Sequence, residues 1–272
     1  MKNATSYNFE WLYTQFVSDS IFINVILHQT DMFGYEHSSY MSVSYYTIDG
    51  KKGHERYLLS CSDSPFFLDG DILRVHLKKG FIEVDGAISF TCCCETIEQN
   101  LYENSIDCFS AWNVIIPHGI FQGRILYKNN IYAASAIVYQ DKQFGELPIQ
   151  QFLDKWGWGV IVKNDVTHGI FSVLTRDKKA VTIKFCCDGI NLTKSVEKSF
   201  NESWVNSLCS GSITNQRAVD LFDVDVNYQN PIRSRICEKY DDFIMTYYRY
   251  ACTQNSILCG ACEYMEINKE DV

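Results

Sequence analysis

Runs in which apolar residues alternate with polar ones fill most of the chain, and pairs of turn-forming residues divide them. That is the period of two of a β-strand, not the 3.6 of a helix. Trp11 to Gln29 holds two strands split at Asp19-Ser20, and Tyr40 to Ile48 adds a third that ends at Asp49-Gly50. Tyr57 to Cys61, Ile72 to Leu77, Phe81 to Val84 and Ala87 to Cys94 follow, separated by Asp69-Gly70, Lys79-Gly80 and Asp85-Gly86. Such pairs favour hairpin turns, so this half reads as an antiparallel meander. Trp112 to Ile116, Gly123 to Tyr127 and Tyr132 to Asp141 complete it, with a tight turn at Asn129-Asn130. Beyond Gly145 and Pro148 the theme repeats in Trp156 to Lys163, Gly169 to Thr175, Ala180 to Cys187, Ile244 to Tyr250 and Ile257 to Ile267. Asp177-Lys178 and Asp188-Gly189 are the turns there. Ile149 to Asp154 has room for one helical turn, and nothing requires a long helix. Ser195 to Pro231 is polar and reads as a long connection over a barrel mouth. Its Asp220 to Asp225 stretch lacks the Gly and closing Glu of a calcium loop.

The stretch from Ala133 to Val160 gathers the side chains with most chemistry. On its first strand the period of two puts Ser135, Ile137, Tyr139 and Asp141 on one face, so a phenol and a carboxylate share that face. On its second, Trp156 and Trp158 share a face, with Gly157 and Gly159 opposite. The pattern Y-x-D-x-x-x-G-x-x-P followed by W-x-W-G resembles the signature of the tandem lipocalin-like family that includes the carotenoid hydratases. Related two-barrel proteins include the decalin-forming Diels–Alderases and, more remotely, the tocopherol cyclases. Phe9 to Tyr13 (FEWLY), Trp112 to Gly119 (WNVIIPHG) and Cys259 to Glu263 (CGACE) resemble further parts of that pattern, so the similarity spans nearly the whole chain. Leu12 stands where a second Trp is usual, Lys142 where a His is common and Phe144 where a Trp is.

The resemblance implies an all-β protein of two tandem lipocalin-like antiparallel barrels, residues 1–147 and 148–272. An internal repeat agrees with it. Trp11 with its following VSDSIFINVIL and Trp158 with its following KNDVTHGIFSVL both read as aromatic strand, Asp-containing turn and apolar strand.

Composition narrows the function more than the fold. The 272 residues suffice for a sizeable core, and 17 Tyr and 17 Phe suit strands and an apolar ligand. A net charge of -9 argues against nucleic acid or an anionic membrane surface as partner. No apolar run is long enough to span a membrane and the N-terminus has no signal-peptide core, so the expected location is cytoplasmic. The 12 Cys then read as reduced thiols, and the sequons at Asn3, Asn191 and Asn201 as chance matches. Cys259-x-x-Cys262 without a second pair is a weak metal signal. There is no nucleophile elbow, phosphate loop or dinucleotide fingerprint, and the six His lack metal spacing, so neither cofactor nor metal is expected.

The remaining candidates converge on one kind of chemistry. Asp141 and Tyr139 are the expected catalytic pair; Trp11, Trp112, Trp156 and Trp158 are the expected pocket walls, with Glu10, Lys142 and Glu263 as polar lining. Indole faces stabilise a developing carbocation, and a desolvated carboxyl stays protonated near neutral pH. A shaped cavity with a hydrogen-bond donor on an activating carbonyl is enough for ring closure of a polyene. Three functions therefore compete: a cofactor-free cyclase of Diels–Alderase type, an isoprenoid hydratase acting through a carboxyl proton, and a lipophile carrier. Lys142 and Phe144, in the positions of the hydratases' His and Trp, place cyclisation first. The sequence leaves the substrate and the oligomeric state open.

Overall fold

The computed structural model describes residues 9–30, 33, 39–58, 67–69, 73–78, 81–86, 88–93, 99–106, 109–127, 130–209, 227–228, 233–239 and 243–269. Eleven strands form one antiparallel sheet: β1 (Phe9–Val17), β2 (Ile21–Thr30), β3 (Tyr40–Thr47), β4 (Lys52–Leu58), β5 (Phe67–Asp69), β6 (Leu73–Lys78), β7 (Phe81–Gly86), β8 (Ile88–Cys93), β9 (Gln99–Ile106), β10 (Phe109–Tyr127) and β11 (Asn130–Gly145). A one-turn helix, α1 (Ile149–Phe152), leads to the second sheet. Its strands are β12 (Leu153–Lys163), β13 (Val166–Thr175), β14 (Ala180–Cys187), β15 (Leu192–Glu197), β16 (Asn227–Tyr228), β17 (Arg233–Lys239), β18 (Phe243–Gln254) and β19 (Ile257–Lys269), with α2 (Glu202–Cys209) following β15. The protein is all-β, built of two lipocalin-like halves. Among the described residues no helix is long and apolar enough to cross a membrane.

The two sheets repeat one topology. The order β4-β3-β2-β1-β11-β10 in the first matches β15-β14-β13-β12-β19-β18 in the second: four strands run in sequence, then the last strand of the half returns beside the first. Trp11 and Trp158 both lie in the opening hairpin of a half, so the faint sequence repeat has a structural counterpart.

Three expectations need revision. The strand placed at Tyr57 to Cys61 begins at Lys52. A tight turn, in which the Thr47 N–H donates to the Lys51 carbonyl, puts Lys52 straight into register with Tyr46. The KGHER that opens this strand is polar, and hydropathy did not mark it. The separate strands at Trp112 to Ile116 and Gly123 to Tyr127 are one, β10, whose register shifts on either side of Ile116 let it pass Pro117, which has no N–H to give a ladder. The polar connection after Ser195 holds the end of β15 and all of α2. Asn201 caps α2 by accepting from the Trp204 N–H at 3.3 Å, while Trp204 and Val205 are buried against β12. Gly157 makes that packing possible, because a Cβ there would lie 2.8 Å from Val205 and 2.9 Å from Trp204. Asp220 to Asp225 and the short turns at Asp69-Gly70, Lys79-Gly80 and Asn129 lie outside the described residues, wholly or in part.

The sheets pack face to face, and the period of two decides which residues meet. Phe9, Trp11 and Tyr13 of β1 and Tyr139 of β11 join Trp156, Trp158 and Val160 of β12 and Phe171 of β13 in one buried cluster that spans both halves. The opposite face of the second sheet carries a separate core in which Tyr248, Tyr250, Cys252, Cys259, Cys262 and Tyr264 pack with Trp204. Cys187, Cys252, Cys259 and Cys262 are free thiols, and Cys252 and Cys262 touch at 3.5 Å.

Candidate functional site

Where the two sheets meet, a carboxyl is held in an almost wholly apolar setting. Asp141 sits on β11 opposite Tyr13 of β1 and Val114 of β10, and is fully buried. Two donors converge on its Oδ2: the Tyr139 hydroxyl at 2.7 Å and the Trp112 indole N–H at 3.0 Å. Oδ1 has no hydrogen-bond partner. Burial pushes the Asp141 pKa up to about 7, the bonds from Trp112 and Tyr139 pulling the other way, Glu263 adding to the rise, and the Trp158 indole N–H, close to the carboxyl but short of hydrogen-bond geometry, giving a smaller pull downward. Desolvation outweighs the hydrogen bonds because the carboxyl is fully buried among aromatic side chains. Tyr139 is raised well above its ordinary range, first by burial and then by the charge of Asp141, so it stays a neutral donor.

These facts assign the proton. Oδ2 already accepts twice, so a proton on the carboxyl resides on Oδ1, the oxygen with nothing bound to it. Burial therefore favours the protonated form of Asp141, in which Oδ1 would carry the donor.

Aromatic rings wall this atom. Trp158 lies 4.7 Å from Tyr13, edge on, and 6.1 Å from Tyr139, while Trp156 stands 5.9 Å from Trp11. Trp112 packs on Phe171 at 5.2 Å and Phe185 at 5.8 Å, both from the second half. The indole N–H groups of Trp156 and Trp158 are buried without a partner, as is Oε1 of Gln143, the residue opposite Trp11 and Trp112. Several unsatisfied polar atoms in one apolar region mark a place that water or a ligand's polar group completes.

Of the residues singled out from sequence, the structure brings Asp141, Tyr139, Trp11, Trp112, Trp156 and Trp158 into this junction. Glu263 also faces it, opposite Trp158, but is paired with Arg249 at 2.5 Å. Glu10 and Lys142 stand apart from it. They form an ion pair with each other, and strand alternation turns both away from the face that carries Trp11 and Asp141. Phe144 is on their side too.

Sequence reasoning passed over Arg249, Tyr13 and Gln15. Arg249 is 2% exposed; burial opposes its charge, and the charge of Glu263 and the hydrogen bond to it favour the cation, which it remains. The signal was present as one cation inside the apolar strand MTYYRYAC. Gln15 stitches the sheets together, accepting from the Tyr13 hydroxyl at 3.0 Å and donating to the Val160 carbonyl at 3.2 Å. Among the described residues no group of three or more His, Cys, Asp and Glu is placed to hold a metal ion.

No protein-family model and no curated protein matches the chain. Among solved structures, an AttH-type protein of Nitrosomonas europaea superposes with a TM-score of 0.52 at 11% identity, over 96% of this chain and 92% of that one. Kievitone hydratase from Nectria haematococca gives 0.45 at 9% identity, over 96% and 89% of the two chains. CghA with Sch210972 gives 0.47 at 7%, over 96% and 88%. The first of these likenesses is one of fold alone, and the other two are weaker. The chain carries the tandem lipocalin-like fold that its sequence resembles.

Proposed function

We propose that the protein is a cofactor-independent enzyme that binds an apolar, unsaturated small molecule between its two halves and cyclises it, with Asp141 as the activating donor. The observation that carries this reading is the buried Asp141 carboxyl, with a pKa near 7, Oδ2 fixed by Tyr139 and Trp112, and Oδ1 unbound. A donor at Oδ1 lowers the energy of a carbonyl conjugated to a polyene by taking up charge on its oxygen, and the rigid walls hold the chain in a folded, reactive shape. The flanking indoles present π faces that suit either a polyene or a developing cation.

Hydration is the second reading, and one observation favours it. Lys142 and Phe144, the departures from the hydratases' pattern, lie on the face turned away from Asp141, so they leave the proton donor itself untouched. Conversion of conjugated polyene carbonyl compounds and of terminal isoprenoid alkenes, followed by mass spectrometry in oxygen-labelled water, separates the readings. Ring closure yields an isomer of unchanged mass without label, and hydration adds one labelled water. Asp141→Asn is expected to lose about 10²–10⁴-fold in rate while remaining folded. Binding without conversion across the panel would leave a carrier and reject both enzymatic readings.

A further inference from the structure

At one end of the second sheet lies a strand whose side chains stand almost wholly in solvent. In β15 every residue from Thr193 to Glu197 is exposed, so neither face is buried and the strand is held by its ladder to β14 and by the turn between them. That turn is tightly tied: Gly189 takes φ 93°, and Asp188 Oδ1 accepts from the Ile190 N–H at 2.9 Å and the Asn191 N–H at 2.7 Å. The Asp188 N–H donates to the Asn191 carbonyl, which sets the alternation of the ladder. Thr193, Ser195 and Glu197, opposite Cys186, Lys184 and Thr182, then exchange hydrogen bonds with β14, and the N–H and C=O groups of Leu192, Lys194 and Val196 point away from it. Among the described residues no strand lies beyond β15 and no backbone group bonds to this outer row.

An open ladder is a template for another strand, and charge decides which strand it takes. Leu192, Lys194 and Val196 share one face, and Lys198 follows directly beyond the end of β15. Lys194 and Lys198 are exposed and make no ion pair among the described residues, in a chain whose net charge is -9. The carboxylate of the strand, Glu197, lies on the other face beside Lys184 at 3.8 Å. Pairing with the same edge of a second copy is disfavoured: in each two-fold register that matches the outward groups, Lys194 meets Lys194, Lys198 or, diagonally, both. The equivalent strand of the first half, β4, is finished differently. His54 bonds Ser44 at 2.8 Å and Arg56 lies 3.8 Å over the Tyr40 ring, so these side chains lie back on their own sheet.

We propose that β15 is a docking edge for an extended acidic segment of a partner protein, which adds an antiparallel strand to the second sheet. Backbone hydrogen bonds to Leu192, Lys194 and Val196 supply the affinity, and the side chains on the shared face supply the selection. Four residues of strand span about 13 Å, so two carboxylates four apart in the partner match Lys194 and Lys198, with an aliphatic side chain between them beside Val196. The edge asks nothing of Asp141 and stands whether or not the junction converts a substrate.

The test uses the full chain and three end-capped peptides: Glu-Thr-Val-Thr-Glu-Thr-Val, its counterpart with Lys for Glu, and the acidic peptide N-methylated at both valines and the second glutamate, which keeps its charges but lacks the N–H groups that face β15. Calorimetry gives the affinity, and residue-by-residue amide exchange gives the place. With the acidic peptide at about ten times its Kd, exchange at Leu192, Lys194 and Val196 is expected to slow about tenfold, while Thr193 and Ser195, already bonded to β14, change little. The lysine peptide and the methylated peptide are expected to give no protection. Lys194→Glu, at an exposed position, should weaken the acidic peptide about tenfold. Val196→Pro removes an N–H that β14 does not use, so the hairpin keeps its ladder and the peptide loses its hold. Absence of protection by the acidic peptide, equal binding of the methylated one, or protection undiminished by Lys194→Glu would each overturn the proposal and leave β15 as an edge that its lysines keep unpaired.

Discussion

At the scale of single residues, the burial on which the proposed donor role of Asp141 depends also makes that carboxyl a cost. Its pKa rises from 3.8 to about 7 on folding, so between these values the native state binds more protons than the unfolded state. Stability is then expected to fall as pH rises from about 4 to 7 and to level off above, by an amount on the order of 4 kcal/mol. Asn at this position keeps an acceptor for Tyr139 and Trp112 and carries no charge. Urea unfolding of wild type and Asp141→Asn at pH 5 and pH 8 should show the variant gaining on wild type at the higher pH; a constant difference would mean that Asp141 does not titrate in this window. Conversion should follow the protonated fraction and decline above pH 7. Glycines supply a contrasting test. Gly260 has φ 151°, and a Cβ there would lie 2.1 Å from the Val160 carbonyl oxygen and 2.8 Å from the Ile161 Cα, both backbone atoms that cannot turn aside. Gly50 has φ 85° but open space around it. Gly260→Ala is expected to cost about 2–4 kcal/mol and Gly50→Ala about 1, measured by denaturation.

At the scale of elements, much of the site was legible in strand parity and the rest was hidden by pairing. The period of two put Tyr139 with Asp141 and Trp156 with Trp158, and the structure places them so. The same rule assigns Lys142 to the opposite face, where it meets Glu10, although its place in the resembled pattern had put it among the polar lining of the pocket. Arg249 and Glu263 sit opposite each other on β18 and β19, the two arms of one hairpin, and the register shift between Cys252 and Thr253 hides that pairing from a count along the sequence. Helix α2 was missed for another reason: among its described side chains the buried ones are Trp204 and Val205, whose docking on β12 depends on the missing Cβ of Gly157. This contact is open to test. Gly157→Ala forces the Trp204 ring and Val205 methyl to move, so amide exchange in α2 should accelerate while the Asp141 site, on the other face of β12, keeps its conversion rate. Unchanged exchange would show that α2 is held by its Asn201 cap and not by docking.

At the scale of the molecule, the two halves repeat one topology yet share a core. Trp11, Tyr13, Trp112 and Tyr139 from the first half interlock with Trp156, Trp158, Phe171 and Phe185 from the second, with no layer of solvent-exposed side chains between them. Polar links cross the same boundary, among them Gln15 to the Val160 carbonyl, Arg249 to Ser44 and His118 to Thr167. Neither half can bury these rings alone, so separation would expose several large aromatic side chains, each worth roughly 1.5–3 kcal/mol of burial. The halves are therefore expected to unfold together. Trp204 is the one tryptophan outside the junction cluster, so Trp204→Phe leaves fluorescence reporting on the junction while far-ultraviolet circular dichroism reports on both sheets. The two signals should trace one urea transition with one midpoint, whereas loss of fluorescence ahead of the β signal would show that the halves separate before either unfolds. Glu263→Gln sharpens the experiment. It leaves Arg249 as a buried cation without a balancing charge, a loss of about 3–5 kcal/mol, and because Arg249 also reaches Ser44 the midpoint should drop for both signals alike.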